Sequence, residues 1–150
     1  MYMNVNNFKD FTKSLHPAWV VGFIDGEGTF FVDFLKNATM AQGIQVQLRF
    51  VITQHVRDGE LMQRLQEFFG CGTISKDGES KLQLRIRGFK DLEDKVFPLL
   101  DEYPLQTQKA LDAQAFREVH SIIKNKIHVT SSGLCKIKAI KATINRARMK

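Results

Sequence analysis

The sequence predicts an α+β fold in which helices cover one face of a four-stranded antiparallel sheet and leave the other face open. Three observations carry that expectation. Two pairs of alternating apolar and polar runs, at residues 29–54 and 73–87, each fold back across a turn-forming segment. Each pair is preceded by a stretch with helical character, at residues 17–27 and 58–69. Further helical patterns at about 89–97, 105–125 and 131–147 complete the order α-ββ-α-ββ-α-α.

Taken in order, Pro17 suits the first turn of a helix, where its missing N–H would be unpaired anyway, and Gly28 suits a left-handed stop just past the end. From Thr29 to Lys36 the chain alternates, with Phe30, Val32 and Phe34 on one side and Phe31, Asp33 and Leu35 on the other. After the loop Asn37 to Gly43, residues 44–54 place Ile44, Val46, Leu48, Phe50 and Ile52 on one face. Gln45, Gln47, Arg49, Val51 and Thr53 fall on the other. In residues 58–69, Leu61, Leu65 and Phe68 form a helical stripe that Gly70 ends. The second hairpin turns at Asp77-Gly78 and sorts Leu82, Leu84 and Ile86 from Lys81, Gln83, Arg85 and Arg87.

A chain of 150 residues, 43% hydrophobic, can bury one substantial core, and no linker or low-complexity tract divides it, so residues 1–150 are expected to be a single domain. The net charge of +6 and pI of about 9.4 favour an anionic partner, nucleic acid first. Cys71 and Cys135 lack metal-ligand spacing and the four histidines are scattered, so neither a disulfide framework nor a zinc site is suggested, and a reducing compartment fits. No stretch reaches the roughly 20 apolar residues of a membrane span, so a soluble protein with no membrane partner is expected.

The charge is organised on the open sheet face. Gln45, Gln47, Arg49, Lys81, Gln83, Arg85 and Arg87 lie there, and Gln and Arg pair bidentately with adenine and guanine edges. Phe31, Asp33, Leu35 and Asn37 extend the face at one edge, and Thr73, Ser75 and Asp77 at the other. A strand at ~3.3 Å per residue covers roughly 30 Å, or about eight or nine base pairs, so two hairpins suit one half-site in a major groove. An ordinary solvated face is the alternative.

The first helix raises a separate question, because Trp19 to Gly26 contains one charged residue, yet the segment ends in Asp25-Gly26-Glu27-Gly28. About ten residues is below the ~12 to 15 at which an isolated helix becomes marginally stable, so packing must hold it. One sheet covers one side only. Gly22 and Gly26 would let another helix approach on the other, and no second copy occurs in the sequence, which points to a two-fold homodimer through Trp19, Gly22, Phe23, Asp25 and Gly26. Paired Glu27 carboxylates at helix C-termini repel unless a cation lies between them, and oxygen ligands favour Mg²⁺. Such an arrangement beside a basic face suits metal-assisted phosphodiester hydrolysis. As an alternative, Asp25 or Glu27 caps a helix or forms an ion pair.

Val20-Val21-Gly22-Phe23-Ile24-Asp25-Gly26-Glu27-Gly28 resembles the nine-residue signature of the LAGLIDADG homing endonucleases, in their single-motif, homodimeric branch. The likeness extends over nearly the whole chain, through "ITQH" at 52–55, "FFGCGTI" at 68–74 and "YPLQTQK" at 103–109. The resemblance implies the αββαββα fold of that family and a site-specific, metal-dependent endonuclease that cuts both strands of a long pseudo-palindromic DNA target. It implies that Glu27 binds the catalytic metals with Gly26 beside it, that Asp25 holds the helix tip, and that Gln54 orders water. Lys109 is implied as a basic group stabilising the transition state, with Thr107 a competitor for that position. The implied cofactor is Mg²⁺ or Mn²⁺, with Ca²⁺ a non-productive substitute, and the implied origin is an organellar intron, mitochondrial or chloroplast.

Phosphate contacts are expected from the strand ends and from Lys124, Lys126, Lys136, Lys138, Lys141, Arg146, Arg148 and Lys150, unless these form a solvated basic helix face. Two other functions are compatible with this fold. An intron-splicing RNA maturase would favour exposed aromatics, of which the reading face offers Phe31. A DNA-binding regulator built on a retired endonuclease would have lost the motif acid, and Glu27 is present.

Overall fold

The computed structural model describes residues 14–144. Its elements are α1 (Pro17–Glu27), β1 (Gly28–Lys36), β2 (Ile44–His55), a 3-10 turn (Val56–Asp58), α2 (Gly59–Phe69), β3 (Thr73–Asp77), β4 (Lys81–Ile86), α3 (Phe89–Asp91), a π turn (Leu92–Val96), α4 (Phe97–Glu102), α5 (Lys109–Lys124), a 3-10 turn (Ile127–Val129) and α6 (Ser131–Lys141). Arg146, Arg148 and Lys150 lie outside the described residues. No described helix is long and apolar enough to cross a membrane.

The expected sheet forms, antiparallel throughout and in the order β1-β2-β4-β3. The two hairpins lie side by side, with β2 paired to both β1 and β4. The period-two pattern separates the faces. Phe30, Val32, Leu48, Phe50, Ile52, Leu84 and Ile86 are buried toward the helices, and the alternate residues Phe31, Asp33, Gln47, Arg49, Gln83 and Arg85 are half-buried on the other side. Val51 departs from that rule. It belongs to the open face by register, yet it is buried in the row between its ladder partners Thr29 and Arg85. The core centres on Phe30, whose ring stacks on Phe50 at 5.0 Å and meets Phe116 of α5 at 5.1 Å. Burying each such ring contributes roughly 1.5 to 3 kcal/mol.

The helix boundaries differ from expectation for identifiable reasons. Gly28 is not left-handed: its φ is −79° and ψ 154°, already those of a strand. Glycine is required there for space, because a Cβ would sit 2.9 Å from both Cγ2 and the carbonyl oxygen of Ile24. Gly70 does take the left-handed stop, with φ 68°. The helical run expected to end at 97 continues to Glu102 across Pro98, because the ladder widens first: the Phe97 N–H reaches the Leu92 carbonyl in a π turn. The helix expected from 105 begins at Lys109, since Gln106 and Thr107 before it donate to Asp25 of α1. The last helix closes at Lys141, short of 147. Arg87, expected within the fourth strand, follows its last residue.

Candidate functional site

The end of α1 lies beside the middle of the sheet. Gly28 pairs with Ile52 in the β1–β2 ladder, so Glu27 stands one step beyond that row and Gln54 two residues along β2. Glu27 is exposed, and its carboxylate has no hydrogen bond or ion pair among the described residues. Gln54 is half-buried opposite Leu82, and its register puts it on the helix side of the sheet with Ile52, away from the face that carries Gln47 and Arg49.

Asp25 has a different environment. One carboxylate oxygen accepts the Gln106 N–H at 2.8 Å; the other accepts the Thr107 N–H at 3.2 Å and the Thr107 hydroxyl at 2.7 Å. Thr107 Oγ1 also accepts the Lys109 N–H at 3.3 Å. Lys109 is 4% exposed, and its ammonium donates to the carbonyl oxygens of Ile24 and Asp25 at 2.9 and 3.0 Å. The Ile24 carbonyl also accepts the Gly28 N–H, and a helix C-terminus carries partial negative charge, so a buried cation there adds a donor to the last carbonyls and offsets that charge. The tip of α1 is thus gripped from outside by residues 106–107 and from beneath by Lys109. The sequence assigned Thr107 and Lys109 to competing positions in one role; the structure joins both to the same helix end.

Both sheet edges contribute to the open face. Phe31 opposes Arg49, Asp33 opposes Gln47 and Leu35 opposes Gln45 across β1 and β2; Thr73, Ser75 and Asp77 oppose Arg85, Gln83 and Lys81 across β3 and β4. Many of these groups hold one another. Gln83 donates to Asp77 at 3.0 Å, Arg85 to Ser75 at 3.1 Å and Asn37 to Gln45 at 3.4 Å. Arg49 Nε donates to Asp33 at 2.7 Å, and its guanidinium lies 4.4 Å from the centre of the Phe31 ring. The Arg85 Nε is buried with no partner among the described residues. The cross-strand pairs follow from register, which a sequence with a seven-residue loop at 37–43 leaves open.

Opposite the packed side of α1, Trp19 is 45% exposed and stacks on Phe23 at 5.1 Å. Gly22 and Gly26 are exposed, and a Cβ on either would meet nothing within 4 Å. The helix layer carries further basic groups: Lys124 pairs with Glu93, Arg117 with Asp101, Lys136 with Glu118 at 3.9 Å, and Lys141 lies 4.9 Å from the Phe34 ring. Of these lysines, Lys124 belongs to α5 and Lys136 and Lys141 to α6.

A family model described as LAGLIDADG endonuclease matches residues 20–120. Among curated proteins, probable intron-encoded endonuclease 3 of Neurospora crassa is 35% identical over 121 residues, covering 80% of this chain and 22% of that protein. The chain spans about a quarter of the length of such relatives. Among solved structures, the homing endonuclease I-TnaI is 41% identical with a TM-score of 0.86, covering 89% of this chain and 90% of that one. The LAGLIDADG homing endonuclease I-SmaMI bound to cleaved DNA is 39% identical with a TM-score of 0.84, covering 88% of this chain and 44% of that one. I-SmaMI has also been solved with uncleaved target in the presence of calcium ions.

Proposed function

The chain belongs to the LAGLIDADG endonuclease family, and from that premise we propose that it is a site-specific DNA endonuclease that hydrolyses both strands of a pseudo-palindromic target as a homodimer. The observation that carries this reading is Glu27: an exposed carboxylate without a partner among the described residues, held at the end of a clamped helix beside a polar sheet face. Asp25 has the same charge two residues away, but both its oxygens are engaged. It holds the tip, and Glu27 remains available for metal.

The donors at the tip are oxygens, the Glu27 carboxylate and the Gly26 backbone, which suit a hard divalent ion such as Mg²⁺ or Mn²⁺; Ca²⁺ shares the ligand preference with looser geometry. Among the described residues no three His, Cys, Asp or Glu side chains cluster to hold a metal. The second copy's Glu27, phosphate oxygens and water would complete the set. When bound, the ion supplies Lewis-acid polarisation of the phosphate and acidifies a water. Lys109 keeps the helix end rigid, and its two carbonyl contacts favour positioning Glu27 over touching the phosphate. Gln54, at the strand end nearby, orients water.

The dimer reading rests on the bare Gly22 and Gly26 edge and the exposed Trp19–Phe23 stack. One chain of this protein corresponds to nine-tenths of the I-TnaI chain and a little under half of the I-SmaMI chain. We read residues 1–150 as one endonuclease domain, intron-encoded in an organelle like relatives named for their introns. DNA is favoured over RNA because Arg49 already occupies the Phe31 ring, the aromatic that a base would stack on. Incubation with a randomised duplex library and Mg²⁺, followed by sequencing of the cut ends, tests the proposal. One enriched pseudo-palindromic sequence cut on both strands supports it, and uncut or indiscriminately cut DNA overturns it.

A further inference from the structure

On the open face one cluster is more tightly built than its neighbours. Arg49 Nε donates to Asp33 Oδ2 at 2.7 Å and Nη2 reaches Oδ1 at 3.5 Å, while the guanidinium lies 4.4 Å from the Phe31 ring centre. The carboxylate therefore takes the side edge of the guanidinium, Nε and one Nη2 hydrogen. The end edge, Nη1 and the second Nη2 hydrogen, has no partner among the described residues and is itself a two-donor fork. That fork matches the O6 and N7 acceptors of guanine in the major groove.

Stability does not account for the cluster. Both side chains are about a quarter exposed, and an ion pair that open to solvent contributes little to folding. A carboxylate on a face meant for a polyanion would repel phosphates unless neutralised. Asp33 could read cytosine directly only through oxygens that Arg49 already holds. What the cluster does provide is immobilisation: a long side chain with much rotamer freedom is fixed in one plane before DNA arrives, which lowers the entropic cost of a base contact.

We propose that Asp33 is a positioning residue that fixes Arg49, against Phe31, as a reader of one guanine. The register locates that base. Phe31, the ladder partner of Arg49, lies four residues beyond Glu27, roughly 13 Å along the strand at ~3.3 Å per residue, or about four base pairs from the cut. The inference rests on the endonuclease reading and adds to it a specificity determinant of this chain.

The test is cleavage selection from a randomised duplex library with Mg²⁺, using the full chain and the variants Arg49→Ala, Asp33→Ala, Asp33→Asn and Asp33→Ala/Arg49→Ala. The wild type is expected to prefer guanine at one position three to five base pairs from the cut. Arg49→Ala should reduce that preference by about five- to a hundredfold. Asp33→Ala should weaken the preference at the same position, leaving neighbouring positions and affinity for unrelated duplex undiminished. Asp33→Asn keeps one acceptor for Nε and should restore part of it. The double variant should discriminate no worse than Arg49→Ala. The proposal is overturned if Asp33→Ala leaves the preference intact, if it lowers selectivity uniformly at all positions, or if the wild type shows no guanine there. Absence of any selected cleavage by the wild type removes the endonuclease reading itself, a result distinct from the other three.

Discussion

Asp25 and Glu27 stand two residues apart on one helix end with opposite surroundings: three hydrogen bonds fill the first carboxylate, and none among the described residues reaches the second. Beneath them the Lys109 ammonium offsets the negative end of the helix and donates to two carbonyls. Replacing Lys109 with Met keeps the stem and removes the charge. The two carbonyls then lose a buried donor, at a cost of about 1 to 3 kcal/mol in chemical denaturation. Cleavage should fall about 10- to 100-fold, as for the loss of groups that orient metal ligands, with DNA binding retained. Unchanged stability and rate would show that the lysine does not hold the tip. The sequence singles out Glu27 and Lys109 as residues, but their surroundings depend on contacts across more than 80 positions, such as Lys109 with Ile24, that no local pattern reports.

Element boundaries show where local rules and tertiary packing part. The strands follow from alternation because one face is buried and the other is not, and a one-residue slip would exchange the two. The helix ends were less legible. Gly28 looks like a left-handed stop in sequence, yet it serves the close approach of Ile24 and Phe50. Gly28→Ala should therefore destabilise the fold by about 1 to 3 kcal/mol through overpacking, measured by urea unfolding; a neutral result would mean the contact relaxes freely. Pro98 suggests an end to its helix, but it falls in the first turn of α4, which follows directly on the π turn. Between α4 and α5, Arg117 donates to Asp101 at 2.5 and 3.2 Å, and this hydrogen bond, chiefly, holds the Asp101 carboxyl below its usual range. A depressed folded-state value stabilises above the unfolded value and is lost as pH falls through the folded one. Asp101→Asn should consequently lower the melting temperature slightly at neutral pH, and the gap should close in acid. A gap constant with pH would place the effect elsewhere.

For the whole molecule, the proposed function depends on two surfaces: the bare edge of α1 and the polar face of the sheet. The sequence reveals both, since an eleven-residue helix that apolar composition suits for burial is covered on one side only, with Val20, Val21 and Ile24 inside and Trp19 outside. Gly22→Leu should leave the fold intact, because the position is open, and convert a dimer into a monomer by sedimentation velocity. An unchanged mass would refute the twin-helix interface. The central claim, that Glu27 performs the chemistry while the sheet holds the DNA, is tested most directly by Glu27→Gln on the sequence that the wild type selects. Binding within a few-fold of wild type, with double-strand cleavage reduced by more than about a hundredfold, beyond the loss of an outer orienting group, is the expected result. Cleavage at the wild-type rate would contradict it.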